Sequence, residues 1–495
     1  MKQTDTIVYE TARVLAAPDL PLPEHKRVPA GWSAVPIGQT GHELKLAWSG
    51  LPLRPLLAAP QRNARLRINV AVEMREVLFV EAYLLESGER LGTFDIRYAY
   101  VFQPFELPLL PQQAEAALRQ GVGLRILETE ATLWVFDGLQ GDGERSLFAP
   151  HLMIAEEGPP RPMEQFLNRM LSLDSLQPFG WLEGCVLDGL YALRQATDAI
   201  RVEQAIVSHL SQYVTEDGQL RYEDLYGAPS DGRFSGIEST LPVAVIAKRQ
   251  PDHPLVKQLV AYWDDQLVAD KGVLSAESTI TAEGAYTMAY PMAVLASQLP
   301  SKPLAQLAIR QLLLRRHMLI DGRHLYGLVS NGGHRRIMRN WARSYTWYML
   351  GFVRTWIELQ RSPYAAELAG MEELTAEFRR IADVVVSLRE PEGLWACFLG
   401  EPETGIETSG SAGIAAALAL GARHGLLAPA SLDVARHALQ ALETYVTPDG
   451  LLHGVSQHNC GGLVLQRGGY RVLSQMGMGL LAQLYAAIHT EPASS

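Results

Sequence analysis

One tight turn recurs through the second two-thirds of this chain. It reads VTEDGQL at 214–220, VADKGVL at 268–274, LIDGRHL at 319–325, EPEGLW at 390–395 and VTPDGLL at 446–452. Its glycines, Gly218, Gly272, Gly322, Gly393 and Gly450, follow one another at steps of 54, 50, 71 and 57 residues. Between them run amphipathic stretches with the 3.6-residue period of helices. A repeat near fifty residues is a two-helix unit, and such units must stack to bury their apolar faces. Five turns with their flanking helices suit a closed ring of about six hairpins, an (α/α)6 toroid or barrel. An open solenoid is the alternative. The long, aromatic- and Gly-rich connections favour the ring, whose loops at one end would build a pocket.

Before residue 155 the period is different. RLRINVAV (65–72) alternates polar and apolar residues, as a half-buried strand does. EVLFVEAYLLE (76–86), GTFDIRYAYVF (92–102), VGLRILE (122–128) and ATLWVFDG (131–138) are further strands, parted by turns such as SGER and GDGE. One helix, PQQAEAALRQG (111–121), interrupts them. The expected organisation is mainly α: a β-sandwich-like domain over 1–155, a Pro-rich linker and first helix over 156–170, and the toroid over 171–495.

At 495 residues the chain is too long for one ordinary core. Its net charge of −11 argues against nucleic acid, whose phosphates are bound by Lys and Arg. A local Arg cluster can still hold an anion. Cys185, Cys397 and Cys460 lie far apart, with no CxxC pair, so neither a disulfide framework nor a metal site is expected. There is no P-loop, dinucleotide fingerprint or GxSxG elbow, hence no cofactor. The start, MKQTDTIVYETARVL, lacks a signal-type apolar core, and SGSAGIAAALALGA is broken by Arg423 before it could span a bilayer. These points lead to a cytoplasmic protein without a membrane partner, and to a possible homo-oligomer.

Inner helices of a toroid should be small and apolar, with sparse polar groups aimed at the cavity. Five places fit. GWLEGCVLDGLYAL (180–193) brings Trp181. SGIESTLPVAVIA (235–247) brings Glu238, which could equally close a capping box with Ser235. TAEGAYTMAYP (281–291) brings Glu283, with Tyr286, Thr287 and Tyr290 on the same helical face; an acid among aromatic faces can hold its proton near neutrality. It could also be a first-turn charge favoured by the helix dipole. HRRIMRNWARSYTWYMLG (334–351) crowds Arg335, Arg336, Arg339 and Arg343 with Trp341 and Trp347. Guanidinium forks suit a carboxylate and flat rings suit a sugar face, so an acidic sugar uses both. GLWACFLGEPETGIETSGSAG (393–413) brings Glu407, Thr408, Ser409 and Ser411 as a polar loop feeding the pocket, with Thr408 or Ser409 as an ordinary N-cap in the alternative. A sixth stretch, GVSQHNCGG (454–462), places His458 on a Gly-rich pocket-edge loop.

Taken in chain order, the segments over about 175–490 resemble the unsaturated uronyl hydrolases of glycoside hydrolase families 88 and 105. NWARSYTWYMLG is similar to that group's Trp-x-Arg-Gly-Asn-x-Trp helix, on Trp341, Arg343 and Trp347. GLWACFLGEPETGIETSGSAG is similar to its Gly-Leu-Trp … Glu-Thr-Ser-Gly-Ser-Ala segment. The resemblance implies an (α/α)6 toroid that removes a terminal uronic acid. It sets Glu283 at the position of the group's general acid and base, and Glu238 at that of its second acid. Both are Asp in the group, and Ser344-Tyr345 replaces its Gly-Asn. Because Glu reaches about one methylene further, the pattern also looks like a related toroid group, family 154, which acts on saturated β-glucuronides. The implied reading is therefore an exo-acting β-glucuronidase-like hydrolase. Its substrate is an acidic oligosaccharide or glucuronide, with Glu283 as general acid, Glu238 as base or nucleophile and Glu407 in reserve. Arg343 with Arg335 or Arg336 would hold the carboxylate, and Trp341, Trp347, Trp181 and Tyr286 would line the sugar site with Ser409 and His458. The alternative is hydration of a 4,5-unsaturated uronyl residue. More remote are a sugar epimerase, which typically needs His pairs on inner helices, and a non-catalytic sugar-binding protein.

Overall fold

The computed structural model describes residues 7–49, 62–139, 147–156, 161–269, 279–330 and 335–490. The expected turn at Gly272, the GDGE turn and residues 157–160 of the expected linker lie outside these residues.

Strands β1 to β11 fill the first part of the chain. A four-stranded antiparallel sheet runs β1(Ile7–Thr11)–β11(His151–Glu156)–β5(Arg62–Asn69)–β8(Pro104–Leu109). A five-stranded one runs β2(Arg13–Ala16)–β4(Leu44–Ala47)–β9(Val122–Leu127)–β6(Val77–Leu84)–β7(Arg90–Arg97). A third pair joins β3(Trp32–Ile37) to β10(Leu133–Leu139). Alternate residues point inward, such as Ala64, Leu66 and Ile68 of β5 and Leu78, Val80, Ala82 and Leu84 of β6, and all join one core. Helix α1(Pro111–Gln120) covers its edge with Ala114 and Ala117. The strand expected over 92–102 stops at Arg97. Beyond it Tyr98 and Phe102 take positive φ, 50° and 66°. No strand can pass through that conformation.

The remainder is the toroid. Its inner helices are α3(Trp181–Leu193), α5(Pro242–Arg249), α7(Tyr290–Gln298), α9(Ala342–Arg361), α11(Thr408–Arg423) and α14(Gln475–His489). Each packs on the next, and α14 packs on α3, so the ring closes. The outer layer is α4(Ala199–Leu210), α6(Pro254–Ala269), α8(Lys302–Leu319), α10(Met371–Ser387) and α12(Ala430–Glu443). Its sixth member is α2(Pro162–Met170), the first helix of the chain's second part, which lies on the last inner helix. A short helix, α13(Gly462–Arg467), sits in the final long connection. Inner helices connect to outer ones by short links and outer to inner by long ones. All six inner helices therefore run the same way, with the long loops at their starts. Among the described residues no helix is long and apolar enough to cross a membrane.

The Ala/Gly-rich run in α11 follows from its position. Residues 408–419 are buried all round, as an inner helix requires. Close approach sets the small residues: a Cβ on Gly413 would lie 2.1 Å from Thr346 Cγ2, and one on Gly479 2.4 Å from the Cys185 carbonyl.

The β-domain rests on the loop-bearing end of the ring. Asp449, in the last of the recurring turns, is the main tie. Its Oδ2 accepts from Arg67 Nη1 at 2.6 Å and from Arg169 Nη2 at 2.5 Å. Gln475 Nε2 at the head of α14 donates to the Phe102 carbonyl at 2.9 Å. Trp32 Nε1 donates to Gln212 Oε1 at 3.2 Å.

Candidate active site

A cavity of about 550 Å³ opens where the long loops meet the β-domain. It is lined by Glu283, Glu238, Arg343, Trp341, Trp347, Trp181 and His458, seven of the side chains singled out in the sequence. They come from segments up to 277 residues apart in the chain, and the ring brings them to one place.

Glu283 is held by local geometry that the helical period does not describe. Thr281 Oγ1 accepts the Gly284 N–H at 3.3 Å, and the chain then passes through a widened π-helical turn, Ala285–Ala289, before α7 starts with Pro291 in its first turn. The π turn accommodates the proline and frees a carbonyl. Thr240 Oγ1 donates to that of Thr287, which ties the Glu283 segment to the one bearing Glu238. Below, the buried Arg315 donates to the Thr281 carbonyl at 3.1 Å. Gly284 lies flat against its guanidinium, where a Cβ would stand 2.2 Å from Nη2.

The carboxyl of Glu283 is shut off from solvent at Oε1, and that atom has no hydrogen-bond partner. Burial pushes its pKa well above the usual value, and the neighbouring Glu238 carboxylate pushes it further; Arg343 only partly opposes them. The group therefore holds its proton to higher pH than an ordinary glutamate does. Glu238 sits on a single 3₁₀ turn, Ile237–Thr240, ahead of α5. The capping box with Ser235 does not form: Gly236 occupies the cap position without a side-chain bond, and Ser235 pairs with the Tyr222 hydroxyl.

Arg343 is 2% exposed. It packs over the Trp341 ring at 4.5 Å, and its Nη2 donates to the Gln457 carbonyl at 2.5 Å. Its Nε–H has no partner. Trp181 and Trp347 meet edge to face at 5.4 Å and form an aromatic wall. His458 Nδ1 accepts the Cys460 N–H at 3.2 Å. Burial, with Arg343 and Arg75 nearby, lowers the His458 pKa to about 3. The ring is thus neutral, with its proton on Nε2.

Other expected members stand elsewhere. Arg335 and Arg336 are exposed, at and beside strand β13(Arg336–Arg339), which pairs with β12(His324–Ser330) rather than extending α9. Arg336 faces Asp321 at 3.3 Å and the Tyr326 ring, outside the cavity. Tyr286 is fully buried beneath Trp347, on which it stacks at 6.1 Å, and its hydroxyl donates to Asp188. It supports the wall and does not line the cavity. Glu407 is the N-cap of α11. Its carboxylate accepts from the Ser409 N–H, the Ser409 hydroxyl, the Gly410 N–H and the Ser456 N–H. Ser409 is buried with it. Both hold the loop in shape, and neither lines the cavity.

Arg75 and Tyr100, from the β-domain, do line the cavity. No motif marks them. Both lie on turns between strands, and only the docking of the two domains brings them to the site.

Residues 252–488 match the family model for Glycosyl Hydrolase Family 88. No curated protein matches the chain. The fold is similar to a family 105 glycoside hydrolase of C. acetobutylicum ATCC 824, at 16% identity over 67% of this chain and 98% of that one, with a TM-score of 0.55. It is also similar to a possible family 105 member from Salmonella enterica, at 18% identity over 62% and 82% of the two chains, TM-score 0.52. A third similar structure is the unsaturated glucuronyl hydrolase of Bacillus sp. GL1, at 15% identity over 66% and 95%, TM-score 0.50. At these identities the structural likeness is one of fold.

Proposed function

The chain is a glycoside hydrolase like those of families 88 and 105, and from that premise we propose that it removes a terminal 4,5-unsaturated uronyl residue from an oligosaccharide. One observation carries the reading: a carboxyl, Glu283, with one oxygen shut from water and unpaired, in a sugar-sized cavity that also holds Glu238 and a buried guanidinium. A 4,5-unsaturated uronyl residue is a vinyl ether. Its hydration needs a proton delivered to C4, charge stabilised at C5 and the ring oxygen, and water added at C5. The resulting hemiketal opens, and the exposed hemiacetal at C1 expels the leaving sugar. Glu283 is the proton donor, and once ionised it can take a proton back from the attacking water. Glu238 keeps Glu283 protonated and is charged beside the developing cation. Arg343 pairs with the uronate carboxylate, and Trp181 and Trp347 bound the ring face.

A second reading is hydrolysis of a saturated β-glucuronide. It is favoured by Glu, rather than the shorter Asp of the resembled group, at both acid positions. Glu283 would then protonate the glycosidic oxygen, with Glu238 as base or nucleophile. The experiment is turnover of matched saturated and 4,5-unsaturated glucuronides, following leaving-group release and loss of the double bond's ultraviolet absorbance. Preference for the unsaturated substrate supports the proposal. Preference for the saturated one replaces it with the second reading. Saturable sugar binding without release of either defeats both.

A further inference from the structure

Of the two β-domain residues that line the cavity, Tyr100 has a local structure that makes little sense unless a ligand is added. Tyr100 is only 8% exposed, yet its hydroxyl has no hydrogen-bond partner. Its ring is fixed edge-on to Trp181 at 6.2 Å and to His458 at 4.8 Å, both of which line the cavity. The backbone is bent to put it there: Tyr98 and Phe102, on either side, both adopt left-handed conformations that bulky residues avoid. The bend is braced on the toroid, since Tyr98 packs against Gly461 and the Phe102 carbonyl is bound by Gln475. Strain of this kind persists where the surroundings hold a side chain in a set place.

Arg343 presents a second orphan. It is buried, faces the same cavity, and its Nε–H is unpaired. Tyr100, Arg343 and Glu283 line the same cavity. The Trp341 indole N–H is a third orphan. Three unsatisfied donors at one cavity, one of them charged, fit a ligand that only accepts and carries negative charge. A carboxylate has that chemistry.

We propose that the substrate carboxylate is held between the two domains, with the Tyr100 hydroxyl of the β-domain and the Arg343 guanidinium of the toroid as its donors. The proposal rests on the uronyl reading above. It makes the β-domain part of the active site.

Tyr100→Phe tests it in the full-length protein. The measurements are binding of glucuronic acid and of glucose, by calorimetry, and the melting temperature. The wild type should prefer glucuronic acid. Tyr100→Phe should weaken glucuronic acid about tenfold, leave glucose unchanged and melt at the same or a higher temperature, because a buried hydroxyl without a partner is removed. A variant that melts lower and binds glucuronic acid as the wild type does would overturn the proposal, showing a structural hydroxyl. Unchanged binding and unchanged melting would overturn it too. If the wild type binds glucose as well as glucuronic acid, the uronyl reading itself fails, and this proposal with it.

Discussion

Glu283 and Glu407 both stand at the head of an inner helix, on either side of α9, and the sequence proposes both as acids of the site. Their surroundings differ in one respect. Glu407 is completely buried and its two oxygens receive four donors. Glu283 keeps one oxygen out of water with nothing bonded to it, next to a second carboxylate. Burial alone therefore does not mark a reactive acid. What marks it is burial that the fold leaves unsatisfied. A carboxylate wrapped in N–H groups is a structural anion, and one without them is a proton carrier waiting for a substrate.

Exchanging each acid for its amide tests this contrast most severely. Glu283→Gln should lower kcat by about 10²–10⁴-fold, the usual contribution of a general acid, without lowering the melting temperature. Glu407→Gln should do the reverse. It turns an acceptor-only cap into a group that sets an NH2 against N–H donors, and it should cost about 2–3 kcal/mol of stability while folded molecules keep most of their turnover. If Glu407→Gln instead melts normally and is inactive, the contrast is wrong. Asp449 extends the same test. Burial disfavours its charge, but Arg67 and Arg169 outweigh that and hold its carboxyl well below the usual range. Its contribution is present above the ordinary aspartate pKa and is lost as pH falls. Asp449→Asn should therefore destabilise the wild type's neutral-pH fold by about 3 kcal/mol, read by denaturant titration, and less in acid.

The pH profile is a finer probe. A general acid works only while protonated, so kcat/KM should fall as pH rises through the elevated Glu283 pKa. Glu238→Gln removes the neighbouring charge and should move that fall to lower pH. Linkage makes stability fall with rising pH at the same group. Its folded pKa is raised, so the fold is least penalised below the ordinary glutamate value and loses stability as pH climbs toward the raised one. Glu283→Gln should accordingly match the wild type's melting temperature near pH 4 and exceed it at neutrality. The smallest effect is expected at Tyr286→Phe. That change removes one of two tyrosine hydroxyls on the buried Asp188 and should cost about 1–2 kcal/mol, with turnover nearly unchanged because the ring still backs Trp347.

The ring was readable because its evidence is local and repeated. Each turn glycine has φ between 58° and 90° in the four described copies, and such a requirement leaves a trace in the sequence wherever it occurs. The Glu238 and Glu283 positions were readable for a related reason, as polar breaks at the starts of apolar helices. Arg335 and Arg336 misled because nearness in sequence to Arg343 stood in for nearness in space; they sit at the start of the second strand of a β-hairpin, and Arg343 lies on the helix that follows it. Glu407 misled because an N-cap and a site acid look alike until their donors are seen. Arg75 and Tyr100 left no trace. Their role depends on the docking of two domains, and neither helical nor strand periodicity reports on that.

The common direction of the inner helices has an electrostatic consequence. A helix start carries roughly half a positive charge, and six of them open on one end of this ring. The protein as a whole carries −11. An acidic sugar therefore meets a repelling exterior and an attracting mouth. Salt screens the exposed outer charges more than the enclosed inner field. For the proposed uronyl substrate, the same field also holds the released anion and so opposes its departure.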